Sequence, residues 1–292
     1  MNISMVGGDL RIVRLAELYA KEENKVYTYG LEKYFDENKN NNVIICSNVK
    51  ESINKSEIIV SGVPISKNGI HINAPYSKKE INLESVKNLL KNKVLVAGNI
   101  PTEFNTESIK NIDLLKIEEL TILNAIPTAE GTIKIIIEQM EKTIHESNIL
   151  ICGYGRIGKI LCKRLSTFGA NIYCAARRDS DLAWIREAGY FPVRYSEIKK
   201  YGTSIDVVIN TVPVIILKEE ELKSLRNDVL IIDVASNPGG IDKEKAKDLK
   251  LKVITALGIP GKEMPISAAS YIKEIIDKIW KESEIKWQYC KH

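Results

Sequence analysis

Residues 148–165, NILICGYGRIGKILCKRL, constrain this chain more than any other stretch. An apolar strand pattern runs into Gly153, Gly155 and Gly158, in G-x-G-x-x-G spacing at the opening of a helix. Each glycine has a separate physical reason. The first suits a tight turn, the second lets the backbone approach a pyrophosphate, and the third lets helix pack closely on strand. Backbone N–H groups at the positive end of the helix then meet the anion. Gly153, Gly155, Arg156, Ile157 and Gly158 are therefore expected to form a dinucleotide-binding turn.

The next strand, NIYCAAR, ends about 20 residues past the third glycine, where an NAD site places Asp or Glu against the ribose 2′-hydroxyl. This chain has Ala176, Arg177 and Arg178 there. A carboxylate would repel a 2′-phosphate, whereas a guanidinium binds it through two hydrogen bonds. The expected cofactor is NADP, with Arg177 the principal reader. Three later loops belong to the same edge, because ligands of open α/β sheets lie beyond the carboxyl ends of the strands. INTVP brings Asn210, Thr211, Val212 and Pro213, and DVASNPGGID brings Asp233, Ala235 and Ser236, as further cofactor contacts. Asn237, Pro238, Gly239 and Gly240 are candidate substrate contacts, and TALGIPGKEMP repeats the theme at 255–265.

Elsewhere short β-branched runs, with IDLL at 112–115 the last of the first domain, alternate with helical patterns, the rhythm of parallel sheets covered by helices. A chain of 292 residues accommodates two such domains. The expected fold is α/β, with two doubly wound parallel-sheet domains, the second a Rossmann dinucleotide-binding domain, and long connecting helices. Pro127, Thr128 and Glu130 read as the start of a long connecting helix, which sets a boundary near 125. Residues 1–125 form an N-terminal substrate domain, residues 126–265 the NADP domain, and the amphipathic run 266–284 packs back. A Lys- and Asn-rich solvated loop is expected at 36–42 and a frayed tail at the end.

Composition excludes several classes. The net charge of +4 arises from 42 basic and 38 acidic residues without a long basic block, so no nucleic-acid arm is expected. Cysteines 46, 152, 162, 174 and 290 form no CxxC pair and have no histidine at ligand spacing, so neither disulfides nor a metal site are expected. Cys152, Cys162 and Cys174 read as buried thiols. The N-terminus lacks the order of a signal peptide, and no apolar run approaches the roughly 18–20 residues that span a bilayer. A cytoplasmic protein with no membrane contact is expected.

In the first domain Gly7, Gly8 and Asp9 follow a strand, with Arg11 in the first helical turn. Asp9 is either the helix N-cap or a catalytic acid, and Gly7, Gly8, Asp9 and Arg11 form a candidate pocket for a substrate carboxylate. Residues 61–75 are expected to cover a cleft, with His71 an ordinary loop histidine. Pro127 and Thr128 are candidate substrate contacts. Glu130 is either the catalytic base or a cap on the connecting helix.

Taken together, GGDLR, NAIPTAEGTI, TIH, GYGRIG with GANIYCAAR, INTVP, DVASNPGGID and GIPG resemble the family of the dipicolinate synthase A subunit over nearly the whole chain. PTAEGTI and ASNPGG are far more specific than the nucleotide fingerprint. The resemblance implies NADP-dependent oxidation of dihydrodipicolinate to pyridine-2,6-dicarboxylate in the mother cell of a sporulating bacterium. It also implies a flavoprotein-like B subunit of dipicolinate synthase as partner, and a homo-oligomer is expected. The chain departs from the family pattern at Ile266, where lysine is usual, at Ala269, where glycine is usual, and at Arg178, where serine often stands. If that lysine binds a substrate carboxylate, the arginines of the first domain or Lys262 take its place here. Two other readings compete. A D-2-hydroxyacid dehydrogenase needs a general-acid histidine beside the nicotinamide, and this chain has none between 204 and 291. A non-catalytic NADP-binding regulatory protein needs only the cofactor site.

Overall fold

The structure is a computed structural model that describes residues 2–35 and 42–289, with side chains as far as Lys281. The expected loop at 36–42 lies outside these residues except for Asn42, as do Cys290 and His292. The chain folds as two compact units, Met1–Asn124 with Pro260–His292, and Ala125–Ile259.

The first unit contains β1 (Asn2–Val6), α1 (Leu10–Lys21), β2 (Lys25–Tyr29), α2 (Glu32–Phe35), β3 (Val43–Ile45), α3 (Val49–Asn54), β4 (Ile58–Ser61), α4 (Leu83–Lys87), β5 (Lys93–Ala97) and β6 (Ile109–Asp113). Helix α5 (Glu118–Gln139) leads into the second unit. There β7 (Asn148–Cys152), α6 (Arg156–Thr167), β8 (Asn171–Ala176), α7 (Asp179–Glu187), β9 (Phe191–Arg194), β10 (Val207–Asn210), α8 (Glu219–Ser224), β11 (Leu230–Asp233), α9 (Lys243–Asp248) and β12 (Lys252–Thr255) follow in turn. The short α10 (Ile259–Lys262) returns the chain to the first unit, which α11 (Pro265–Tyr289) completes.

Both sheets are six-stranded and wholly parallel, and both have one order: β3-β2-β1-β4-β5-β6 and β9-β8-β7-β10-β11-β12. This is the expected doubly wound α/β architecture in duplicate. In each sheet the order in which strands are added reverses once, between β1 and β4 in the first and between β7 and β10 in the second. At that switch point the flanking helices diverge and leave a crevice. Central strands read as continuous β-branched runs because helices cover both faces: every residue of β10 and β11 is buried. On the outside of the first sheet α11 packs against α1. Ala269, Ile272, Ile275 and Ile276 join the core there, and Tyr19 donates its hydroxyl to Asp277 at 2.8 Å.

Three local expectations need correction. Pro127 does not start a helix; it is the tenth residue of α5, whose first turn carries Glu118 and Glu119 instead. Proline suits a first turn because its missing N–H has no partner there, but buried packing overrides that preference here. The longer helix is also apolar enough, by length and composition, to span a membrane, contrary to the sequence reading; half of its most apolar stretch is buried inside the protein. The strand expected at 112–115 is β6, which ends at Asp113. That side chain accepts the Leu115 N–H at 3.1 Å and starts a tight turn.

Candidate dinucleotide-binding site

Because the second sheet is parallel, the turns after β7, β8, β9, β10 and β11 all emerge at one edge. At the switch point Thr211 donates from both its N–H, at 3.0 Å, and its hydroxyl, at 2.8 Å, to the Cys152 carbonyl, tying the end of β10 to the end of β7. Gly153 takes φ +102°, a left-handed value that favours glycine, and its N–H bonds the Ala175 carbonyl at 2.8 Å. A methyl added there would reach Val212 Cγ2 at 2.8 Å. Gly158 lies in the first turn of α6, where a methyl would run into the Gly153 carbonyl oxygen. Gly155, the N-cap of α6, is different: a methyl there would meet nothing within 4 Å, and no side chain caps the helix. The three glycines thus have three jobs, and the helix opens on an uncapped cradle of the kind a pyrophosphate fills.

Beyond the adjacent strand, Ala176 is buried while Arg177 and Arg178 are exposed. Arg178 makes a two-point ion pair with Asp181, Nε to Oδ2 and Nη2 to Oδ1, each at 2.8 Å. The guanidinium beside it holds the Asp181 carboxyl below the ordinary carboxylate range. Arg177 has no carboxylate partner among the described residues. Of the two arginines read from the sequence, the second is committed to its own helix and the first is available.

Asn210 and Asp233 were expected to line the cofactor, and the structure corrects this. Asn210 is fully buried and Asp233 is 1% exposed. Asn210 Nδ2 donates to Asp233 Oδ1 at 2.8 Å and to the Val212 carbonyl at 3.0 Å, and Asn210 Oδ1 accepts the Val212 N–H at 3.2 Å. Asp233 further accepts N–H bonds from Ala235 at 3.2 Å and Gly240 at 3.3 Å. The pair lies beneath the INTVP and SNPGG loops and sets their shape. Gly239 and Gly240 are buried and packed against Asp233 and Asn210, with no room for a side chain, so they support the loop from within. Thr211 and Val212 are half-buried, Ala235 is buried, and Pro213, Ser236, Asn237 and Pro238 are exposed.

Glu130 is neither a cap nor a free base. It is an interior residue of α5, and its Oε1 lies 2.6 Å from Arg164 Nη1. Arg164 sits eight residues along α6, a rise of about 12 Å from the glycine turn. Thr128, one turn before Thr132, accepts that residue's hydroxyl on its carbonyl at 2.7 Å, and Pro127 is buried.

In the first unit the GGD turn occupies the equivalent switch point, but it is filled. The N–H groups of Gly7 and Gly8 bond the carbonyls of Tyr29 at 2.8 Å and Asn73 at 2.7 Å. Asp9 caps α1, accepting the Arg11 N–H at 3.1 Å. Arg11, 6% exposed, pairs with Asp9 Oδ2 at 2.7 Å and also bonds the Val63 carbonyl. The pocket expected from Gly7, Gly8, Asp9 and Arg11 is therefore a folded corner: its donors already have acceptors. The 61–75 stretch packs onto this corner, with Ile72 and Ala74 against Gly7. His71 is a loop residue, 3.4 Å from Glu80.

Comparison with known proteins agrees with this architecture. A family model describing the N-terminal domain of the dipicolinate synthase A subunit matches residues 2–117, and "D-isomer specific 2-hydroxyacid dehydrogenase, NAD binding domain" matches residues 129–252. The dipicolinate synthase A subunit of Bacillus subtilis (strain 168) is 27% identical over 291 residues, covering 97% of this chain and 96% of that protein. Crystal structures of the A subunit from Bacillus halodurans and of its counterpart from Bacillus subtilis both superimpose with a TM-score of 0.84. Their identities are 25% and 27%, and they cover 95% and 98% of this chain and 97% of each of theirs. Along nearly its whole length the chain is similar to the dipicolinate synthase A subunit. Its second unit is a dehydrogenase-like NAD(P)-binding domain.

Two departures from the family pattern have structural settings. Ile266 is 63% exposed, and Ala269 is buried in the core beside α1, where a methyl fills space that glycine would leave. Lys262 is exposed. One residue of the NAD(P)-binding edge was missed in the sequence. Arg194 ends β9 in direct register with Ala176 of β8, next to Arg177. The signal was present, since FPVR closes its strand on arginine just as CAAR does. Among the described residues no group of three His, Cys, Asp or Glu side chains is placed to hold a metal ion.

Proposed function

We propose that this chain is the NADP-dependent oxidoreductase component that converts dihydrodipicolinate to dipicolinate, pyridine-2,6-dicarboxylate, in the mother-cell cytoplasm of a sporulating bacterium. In this reading it works with a flavoprotein-like B subunit and forms a homo-oligomer. The observation that carries the reading is the match to the A subunit along nearly the whole chain, combined with an open glycine cradle whose neighbouring strand ends in an unpaired arginine.

The residues fit a dinucleotide. The uncapped opening of α6 and the empty space at Gly155 accept a pyrophosphate, and Arg177 supplies the charge for a 2′-phosphate. When bound, the nicotinamide supplies a hydride acceptor. Oxidation of the dihydro ring removes one hydride and one proton, and aromatisation supplies the driving force, so the protein's main task is to hold the ring. With Glu130 held by Arg164 and Asp9 by Arg11, the proton leaves to water rather than to a dedicated carboxylate. The exposed Ser236–Asn237–Pro238 turn, shaped from below by Asn210 and Asp233, faces the substrate.

The test is NADP-dependent absorbance change with freshly prepared dihydrodipicolinate, where turnover is expected. Binding of NADP without turnover, in the presence of the B subunit as well, would sink the enzymatic reading in favour of a regulatory NADP-binding protein. Arg177→Ala with Arg178→Ala should lower affinity for NADP relative to NAD; an unchanged ratio would remove the NADP assignment.

A further inference from the structure

Arg194 is a residue that neither the glycine motif nor the NIYCAARRD stretch points to. Its position follows from register: β8 and β9 run parallel with Ala176 opposite Arg194, so Arg177, one residue past Ala176, and Arg194 leave the same sheet edge from adjacent strands. Arg194 is exposed, with half its side chain open to solvent, and one Nη2 bonds Asp179 Oδ1. Asp179 opens α7 and its side chain is 82% exposed. A concavity of about 240 Å³ lies between α7 and β9, lined by Asp179, Arg186, Pro192, Arg194 and Glu197. Tyr195, half-buried, follows Arg194 directly. Burial pushes its phenol up to about 12, with the nearby Arg177 guanidinium acting in the opposite direction.

We propose that Arg194, with Arg177, forms the two-strand clamp that distinguishes a 2′-phosphorylated dinucleotide from its 2′-hydroxyl counterpart, and that Asp179 holds Arg194 until the phosphate arrives. The inference rests on the NADP reading above and deepens it by naming a second reader on a different strand. Charge decides the exchange. An exposed ion pair such as Arg194–Asp179 contributes little because water screens it, whereas a guanidinium–phosphate contact is charge-assisted and two-pronged. A 2′-phosphate with a charge near −2 therefore outcompetes a single carboxylate for Arg194. Arg178 is differently placed, since both of its prongs already meet Asp181 in α7, three residues on. Asp179 and Glu197 line the concavity beside Arg186 and Arg194, while Arg177 stands outside it at the end of the neighbouring strand, so the clamp closes over the strand ends, and selectivity should weaken as salt screens these charges.

The experiment measures Kd for NADP and for NAD by calorimetry on the full chain, in wild type, Arg194→Gln, Arg177→Gln and Asp179→Asn. The wild type should prefer NADP. Arg194→Gln should weaken NADP about tenfold while NAD changes less than about twofold, and Asp179→Asn should tighten NADP by a few-fold. Because Arg194 and Asp179 are exposed, the variants should melt within a few degrees of wild type, and Arg194→Lys should recover part of the loss. If Arg177→Gln loses NADP while Arg194→Gln does not, the clamp is overturned and the NADP reading stands. A wild type that prefers NAD overturns both. An Asp179→Asn variant that binds NADP no better than wild type overturns the holding role of Asp179.

Discussion

Gly155 and Gly158 belong to one motif, yet the structure assigns them opposite liabilities, and a pair of alanine substitutions separates them. At Gly158 the new methyl meets a backbone carbonyl, that of Gly153, which cannot swing aside as a side chain would. Overpacking of this kind costs about 1–3 kcal/mol, and backbone on both sides places Gly158→Ala at the upper end. For a unit spanning Ala125–Ile259, that corresponds to a fall in melting temperature of roughly 5–10 °C. At Gly155 φ is −85°, a value alanine adopts freely, and the methyl enters open space. Gly155→Ala trades a slightly poorer N-cap against a less flexible unfolded chain, a net change within about 1 kcal/mol. Its methyl nevertheless occupies the volume through which a pyrophosphate would approach the helix N–H groups. NADP affinity should therefore drop at least tenfold, about 1.4 kcal/mol. Thermal melts and calorimetric titration of both variants decide the matter. A Gly155→Ala protein that binds NADP like wild type, or a Gly158→Ala protein that melts with wild type, would overturn this division of roles.

Other outcomes follow from the same geometry. Glu130→Gln removes only an exposed ion pair, so stability should change by about 0–1 kcal/mol and turnover should not fall; a loss of several orders of magnitude in kcat would restore it as the base. Asp233→Ala strands buried donors on Asn210, Ala235 and Gly240, and should destabilise by about 3 kcal/mol or more in urea unfolding, with the loops after β10 and β11 losing hydrogen-exchange protection. Burial raises the Cys152 thiol from 9.0 to about 12 and the Tyr195 phenol from 10.0 to about 12. Raised folded values mean that both contributions are intact below about pH 9 and are lost as pH climbs towards 12, because the unfolded chain ionises first. Urea midpoints measured from pH 7 to 11 should decline above 9, less steeply in Cys152→Ala; an identical decline in that variant would exclude the thiol as a cause.

Much of this molecule is legible in its sequence because the relevant physics is local. A β-branched run followed by G-x-G-x-x-G must turn tightly and open a helix. Parallel sheets advertise themselves through strands that are apolar on both faces. The place where Arg177 leaves β8 follows from counting along one βαβ unit. The buried thiols at 152, 162 and 174 follow from the same periodicity.

Other features depend on partners that only folding brings together. Asp233 looks like a ligand contact in sequence, yet a residue 23 positions earlier, Asn210, turns it inward into a buried staple. Glu130 looks like a base or a cap until α6 brings Arg164 against it, and Pro127 looks like a helix start until packing carries α5 through it. Arg11 looks available for a substrate until Asp9 and the Val63 carbonyl occupy it. Arg194 is silent in sequence because only strand register places it beside Ala176. The two sheets, the glycine turn and the charge at the end of β8 can be read along the chain, since each is set by residues within one turn or one strand. Which charged side chains remain free to meet a ligand was decided only by the fold, because a side chain's availability depends on every group packed against it.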